Sequence, residues 1–84
     1  MPFLTLSKEA QKEFVKLPKS EKKKVDRKLK YLKVNPFTGK PLTGELKSFF
    51  SLKAWPYRII YEFIEAKNQV KIHKIQHRQR AYRK

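Results

Sequence analysis

Apolar residues recur along this chain with two different periods. Between Ala10 and Leu32 the spacing is helical: Ala10, Phe14 and Leu17 form one stripe, and Val25, Leu29 and Leu32 form a second. From Leu46 the period changes to two. Leu46, Ser48, Phe50, Leu52 and Ala54 would face one way, and Lys47, Phe49, Ser51, Lys53 and Trp55 the other. Tyr57, Ile59, Tyr61 and Phe63 then share one side of a strand over 57–64, with Arg58, Ile60, Glu62 and Ile64 on the other. Val70 to Ile75 is a further β-branched run.

The punctuation between these runs sets their limits. Pro2 to Leu6 alternates weakly and predicts a short strand. Ser7 is a suitable N-cap for the first helix, because its hydroxyl can accept a free amide of the first turn. Pro18 stops that helix. Ser20 is a second N-cap candidate, with Glu21 favourable at the positive helix end. Asn35-Pro36 ends the second helix. Phe37 to Glu45 holds both glycines and Pro41 and predicts a loop. Trp55-Pro56 and Ala66 to Gln69 predict turns, and Gln76 to Lys84 a tail. The expected order is β-α-α-β-β-β. Early helices and late strands make the class α+β, with the helical hairpin on one face of a small, mainly antiparallel sheet. The other face is left for a cleft.

Composition narrows the function classes. A chain of 84 residues is one small domain, 1–84. It has no cysteine, so neither disulfides nor thiolate metal sites are available. His73 and His77 cannot complete a zinc site without carboxylates, and no acidic residue lies beyond Glu65, so no metal or other cofactor is expected. No apolar run approaches the ~20 residues that span a bilayer, and Met1 to Leu6 lacks the pattern of a signal peptide, so a cytoplasmic protein without membrane contact is the expectation. The formal net charge is +15, from 22 basic and 7 acidic residues. Lysine excess alone often marks a solvated surface. Here every charged residue from Ala66 onward is basic, and Phe49, Phe50, Trp55, Tyr57 and Tyr82 lie near basic residues. Basic and aromatic groups together suit phosphate contact and base stacking, although core packing accounts for most of the aromatics.

Pro41 to Lys53 followed by Tyr57-Arg58-Ile59-Ile60-Tyr61 resembles the central block of the RelE/ParE toxin superfamily. The ending His77-Arg78-Gln79-Arg80-Ala81-Tyr82 is similar to the closing motif of its RelE-like branch. The helical hairpin fits as well, so the resemblance covers almost the whole chain. It implies a RelE-like fold and the toxin of a type II toxin–antitoxin system. RelE-like members cut mRNA, generally in the ribosomal A site, and use no metal. The ribose 2′-OH attacks the adjacent phosphate and leaves a 2′,3′-cyclic phosphate and a 5′-OH. The implied partners are mRNA on the ribosome, ribosomal RNA and a cognate antitoxin held in a hetero-oligomer. The charge of this chain suggests that the antitoxin is acidic. ParE-like relatives instead inhibit DNA gyrase, and a weakly active basic RNA-binding relative is a further alternative.

By the resemblance, Arg58 stabilises the phosphorane charge, Arg78 contacts the scissile or neighbouring phosphate, and Tyr82 acts as base or stacks on a base. Lys53 falls where many members carry a basic residue on the cleft face, and His77 where many have histidine. Phe49 and Ser51 stand where the best-studied enzymes carry lysine, which leaves the general base open. Metal-free cleavage needs a base at the 2′-OH, positive charge on the phosphate and an acid at the leaving oxygen. Tyr82 and His77 offer the proton transfers, and Arg58, Arg78, Lys47 and Lys53 the charge. Arg80 and Arg83 suit general phosphate contacts. Each has a plainer alternative: Arg58 pairing with Glu62, Tyr82 packing on the sheet, and His77 capping or lying exposed. Tyr57 and Tyr61 are expected in the core, and His73 in a structural or exposed position.

Overall fold

The computed structural model describes residues 1–42 and 48–77. The order is β1 (Phe3–Leu6), α1 (Lys8–Lys16), α2 (Lys19–Val34), β2 (Lys40–Pro41), β3 (Phe49–Ala54), β4 (Tyr57–Ile64), a 3₁₀ turn (Glu65–Lys67) and β5 (Gln69–His77). The strands form one five-stranded sheet in the order β1-β5-β4-β3-β2. Three of the four pairings are antiparallel, and β1 runs parallel to β5. This is the α+β arrangement expected from the period change.

The two helical stripes and the alternate positions of the strands meet in one core. Ala10, Leu17, Val25, Leu29 and Leu32 are buried with Leu52, Ala54, Ile59, Tyr61, Val70, Ile72 and Ile75, and Phe14 packs against them. Each large aliphatic side chain here is worth roughly 1.5–3 kcal/mol on burial. Tyr61 is fully buried and Tyr57 packs against the core, as their side of β4 predicts.

Ser7 caps α1 by accepting from the Ala10 amide at 3.0 Å, and its hydroxyl donates to the His73 carbonyl at 2.9 Å. β1 pairs with β5 only as far as Ile72. Beyond that point α1 takes over the edge, and Glu13 Oε1 accepts from the Ile75 amide at 2.8 Å. A strand edge that would otherwise expose unpaired groups is thereby closed.

Several boundaries differ from expectation. The cap of α2 is Pro18 and not Ser20: the helix begins at Lys19, and the Lys22 amide already bonds the Pro18 carbonyl. Proline at φ −57° suits a helix start and needs no donor of its own there. The segment expected to be all loop contains β2, which pairs Lys40 with Ser51 and Pro41 with Phe50. β5 continues through Gln76 and His77, so the tail begins later than predicted. β5 also breaks its alternation. Ile60 pairs with Lys74 and Tyr61 with Ile72, which leaves His73 as an inserted residue. This bulge is why Ile72 and Ile75 are both buried although three positions apart.

Candidate functional site

The helices cover one face of the sheet, and the opposite face is built from the intervening strand positions. Lys53 of β3 stands directly opposite Arg58 of β4, and Arg58 stands opposite Gln76 of β5. Lys53 is exposed and Arg58 half-buried, while their neighbours Leu52, Ala54 and Ile59 are buried on the helix side. Like charges directly across two strands destabilise a sheet.

Both residues line a cleft of about 530 Å³ bounded by Thr38, Gly39, Lys40, Pro41 and Leu42 on one side and by Ser51 and Leu52 on the other. The far wall is held from beneath by Tyr61. Its hydroxyl donates to the Pro36 carbonyl at 2.8 Å and accepts from the Gly39 amide at 2.9 Å. Burial raises the Tyr61 phenol above its ordinary value, partly offset by the Gly39 amide. Gly39 is required there, because a Cβ would stand 2.7 Å from the Tyr61 hydroxyl.

Further along the same face, Phe49 stands opposite Glu62 and its ring lies 4.7 Å from that of His73. Glu62 Oε1, the carboxylate that the sequence offered to Arg58, meets His73 Nε2 at 3.0 Å. The bulge is what carries His73 to this contact.

The structure thus brings Lys53 and Arg58 together. It places His77 differently: His77 stands opposite Tyr57, one register position from Arg58's partner Gln76, and its ring meets the Tyr57 ring edge-on at 5.3 Å. Tyr57 belongs to the core side, so His77 shares that face and not the face of Arg58. Lys47, Arg78, Arg80, Tyr82 and Arg83 lie outside the described residues. Sequence reasoning missed Lys40 and Thr38. A two-residue strand carries no readable period, and the only hint was the Gly39 turn beside a lysine.

The family model described as the ParE toxin of the type II toxin-antitoxin system, parDE, matches residues 4–82. The chain belongs to this family. The toxin resembles several solved structures throughout its length. The RelBE2 toxin–antitoxin complex of Mycobacterium tuberculosis matches with 28% identity and a TM-score of 0.81, over 92% of this chain and 99% of that one. The isolated E. coli RelE toxin matches with 23% identity and a TM-score of 0.81, over 92% and 84%. The archaeal RelE-RelB complex of Pyrococcus horikoshii matches with 22% identity and a TM-score of 0.78, over 94% and 97%. No curated protein matches the toxin. Family and fold together make the protein a RelE/ParE-like toxin of a type II toxin–antitoxin system.

Proposed function

We propose that the toxin is a metal-independent endoribonuclease that cuts mRNA on cytoplasmic ribosomes. The observation that carries this reading is the cross-strand pair Lys53–Arg58 at the mouth of a cleft on the sheet's uncovered face. The ribose 2′-oxygen attacks phosphorus and the bond from phosphorus to the 5′-oxygen breaks, which gives a 2′,3′-cyclic phosphate and a 5′-OH. The 2′-OH proton passes to a base, and an acid returns a proton to the leaving 5′-oxygen. Arg58, with Lys53, stabilises the charge that builds on the phosphorane. Arg78 is two residues beyond Gln76, Arg58's register partner, and supplies a second guanidinium. Tyr82 is the base, its phenolate favoured by the cations around it in sequence. Lys47, Arg80 and Arg83 hold flanking phosphates and ribosomal RNA.

The partner that restrains this activity is an acidic cognate antitoxin in a hetero-oligomer. The RelBE2 structure that the toxin resembles is a toxin–antitoxin complex, and the archaeal one is a RelE-RelB complex. A second reading, inhibition of DNA gyrase without catalysis, is favoured by the ParE designation of the family model. A third, a catalytically weak RNA-binding relative, is favoured by Phe49 and Ser51 at two positions of the open face. Primer extension on translating ribosomes with purified toxin tests the first reading: defined cuts support it. A supercoiling assay with gyrase tests the second. Binding of RNA without cuts in the first assay identifies the third.

A further inference from the structure

The cleft has a third cation, Lys40, beside Lys53 and Arg58. Lys40 stands opposite Ser51 in the β2–β3 pairing, and Ser51 shares the open face with Lys53. Lys40 and Lys53 are therefore diagonal neighbours, a relation that separates residues by about 7–8 Å across paired strands. One row then carries Lys40, Lys53 and Arg58, drawn from three different strands. Among the described residues no carboxylate lines the cleft. Diagonal spacing of this kind suits successive phosphates of an extended single strand better than one phosphate held by all three cations.

The other lining groups fit the rest of a nucleotide. Thr38 and Ser51 bring hydroxyls that can meet a ribose, and Leu42 brings an aliphatic surface for a base. The wall that carries Lys40 is anchored in the core: the buried Tyr61 hydroxyl bonds both Gly39 and Pro36, and Gly39 has no room for a side chain. Lys40 is thus presented by a fixed edge.

We propose that this cleft is a nucleotide subsite next to the scissile phosphate, in which Lys40 holds the neighbouring phosphate of the RNA. The proposal rests on the endoribonuclease reading for what the neighbouring phosphate is, and its test is one of binding. The probe is a short single-stranded RNA with 2′-O-methyl ribose at every position, so that it cannot be cut by 2′-OH attack. Its affinity for the full-length toxin is measured from low to physiological salt. Each phosphate neutralised on a single strand contributes about −0.7 to the slope of log affinity against log salt. Lys40→Gln should weaken binding several-fold at low salt and make the slope shallower by about 0.7. Lys67→Gln, an exposed lysine on the 3₁₀ turn, should leave both unchanged. A Lys40→Gln slope equal to wild type overturns the subsite, as does absence of RNA binding by the wild type. A Lys40→Gln change that weakens only the complex with the co-expressed antitoxin overturns it too, and makes the occupant an acidic protein segment. Failure of the wild type to cut RNA, with the slope change intact, strikes the endoribonuclease reading and leaves the subsite standing.

Discussion

Removing one oxygen atom from the core should loosen the wall of the cleft. In Tyr61→Phe the ring stays and keeps its stacking on Phe50, with centroids 5.2 Å apart. The hydroxyl's two hydrogen bonds, to the Pro36 carbonyl at 2.8 Å and from the Gly39 amide at 2.9 Å, are lost. Gly39 is buried, so its amide finds no water, and an unsatisfied buried donor costs about 1–3 kcal/mol. Pro36 is only half-buried, so its carbonyl recovers part of the usual contribution of about 0.5–1.5 kcal/mol. The expected loss is about 2–3 kcal/mol. At roughly 4–8 °C per kcal/mol for a domain of this size, the melting temperature should fall by more than about 8 °C. Urea titration followed by circular dichroism is the assay, with Tyr31→Phe as the exposed control, expected within about 0.5 kcal/mol of wild type. The denaturant slope should not change, because the same surface is buried. Gly39→Ala should also destabilise, by about 1–3 kcal/mol, since its Cβ meets the Tyr61 hydroxyl at 2.7 Å and the Ser51 carbonyl at 3.1 Å. The two changes share a contact, so the double variant should depart from additivity. A Tyr61→Phe loss no larger than that of Tyr31→Phe would refute the reasoning.

Stability should depend on alkaline pH through the same residue. The folded phenol of Tyr61 lies above its ordinary value of 10.0, so its contribution is complete below that value and lost as pH rises through the higher folded value. Wild type should lose stability across that window more steeply than Tyr61→Phe in parallel urea titrations; equal slopes would contradict the assignment. At the site, Tyr82→Phe should cut single-turnover cleavage by about a hundredfold while ribosome binding persists, and His77→Gln, on the helix side of the sheet, should have a smaller effect. A normal Tyr82→Phe enzyme beside an inactive His77→Gln enzyme would contradict that assignment. The toxin should co-purify with an acidic antitoxin whose association rate falls steeply with salt; a rate indifferent to salt would exclude electrostatic steering.

The long periodic segments were legible because each has one buried face. Val25, Leu29 and Leu32 announce α2, and the alternation of Tyr57 to Ile64 gives β4 with its limits. That alternation also separated Arg58 from Tyr61, which placed one in the cleft and the other in the core. Local rules failed where tertiary contacts decide. Ser20 has the chemistry of a cap, but Pro18 two residues earlier starts the helix. β2 exists only because β3 offers an edge, and nothing in Lys40-Pro41 alone announces a strand. The bulge at His73 was hidden for a similar reason: Ile72 and Ile75 look like a broken strand until the pairing with β4 shows the inserted residue. His77 adjoins Arg78 in the chain, yet its partner Tyr57 puts it on the helix side, a consequence of register that adjacency in sequence conceals. The Lys53–Arg58 pair was present as two separate lysine and arginine signals, and only the hairpin at Trp55-Pro56 makes them opposite.

The central claim is that Arg58, beside Lys53, stabilises a phosphorane formed by 2′-OH attack. The most direct measurement is single-turnover cleavage of ribosome-bound mRNA with analysis of the product ends, for wild type and Arg58→Ala. Wild type should give 2′,3′-cyclic phosphate and 5′-OH ends. Arg58→Ala should remain folded by circular dichroism and cut on the order of a hundredfold more slowly, the loss of about 3 kcal/mol expected when a fixed donor is withdrawn from a developing charge. A folded Arg58→Ala toxin that cuts at the wild-type rate, or wild-type products ending in a 5′-phosphate, would contradict the account.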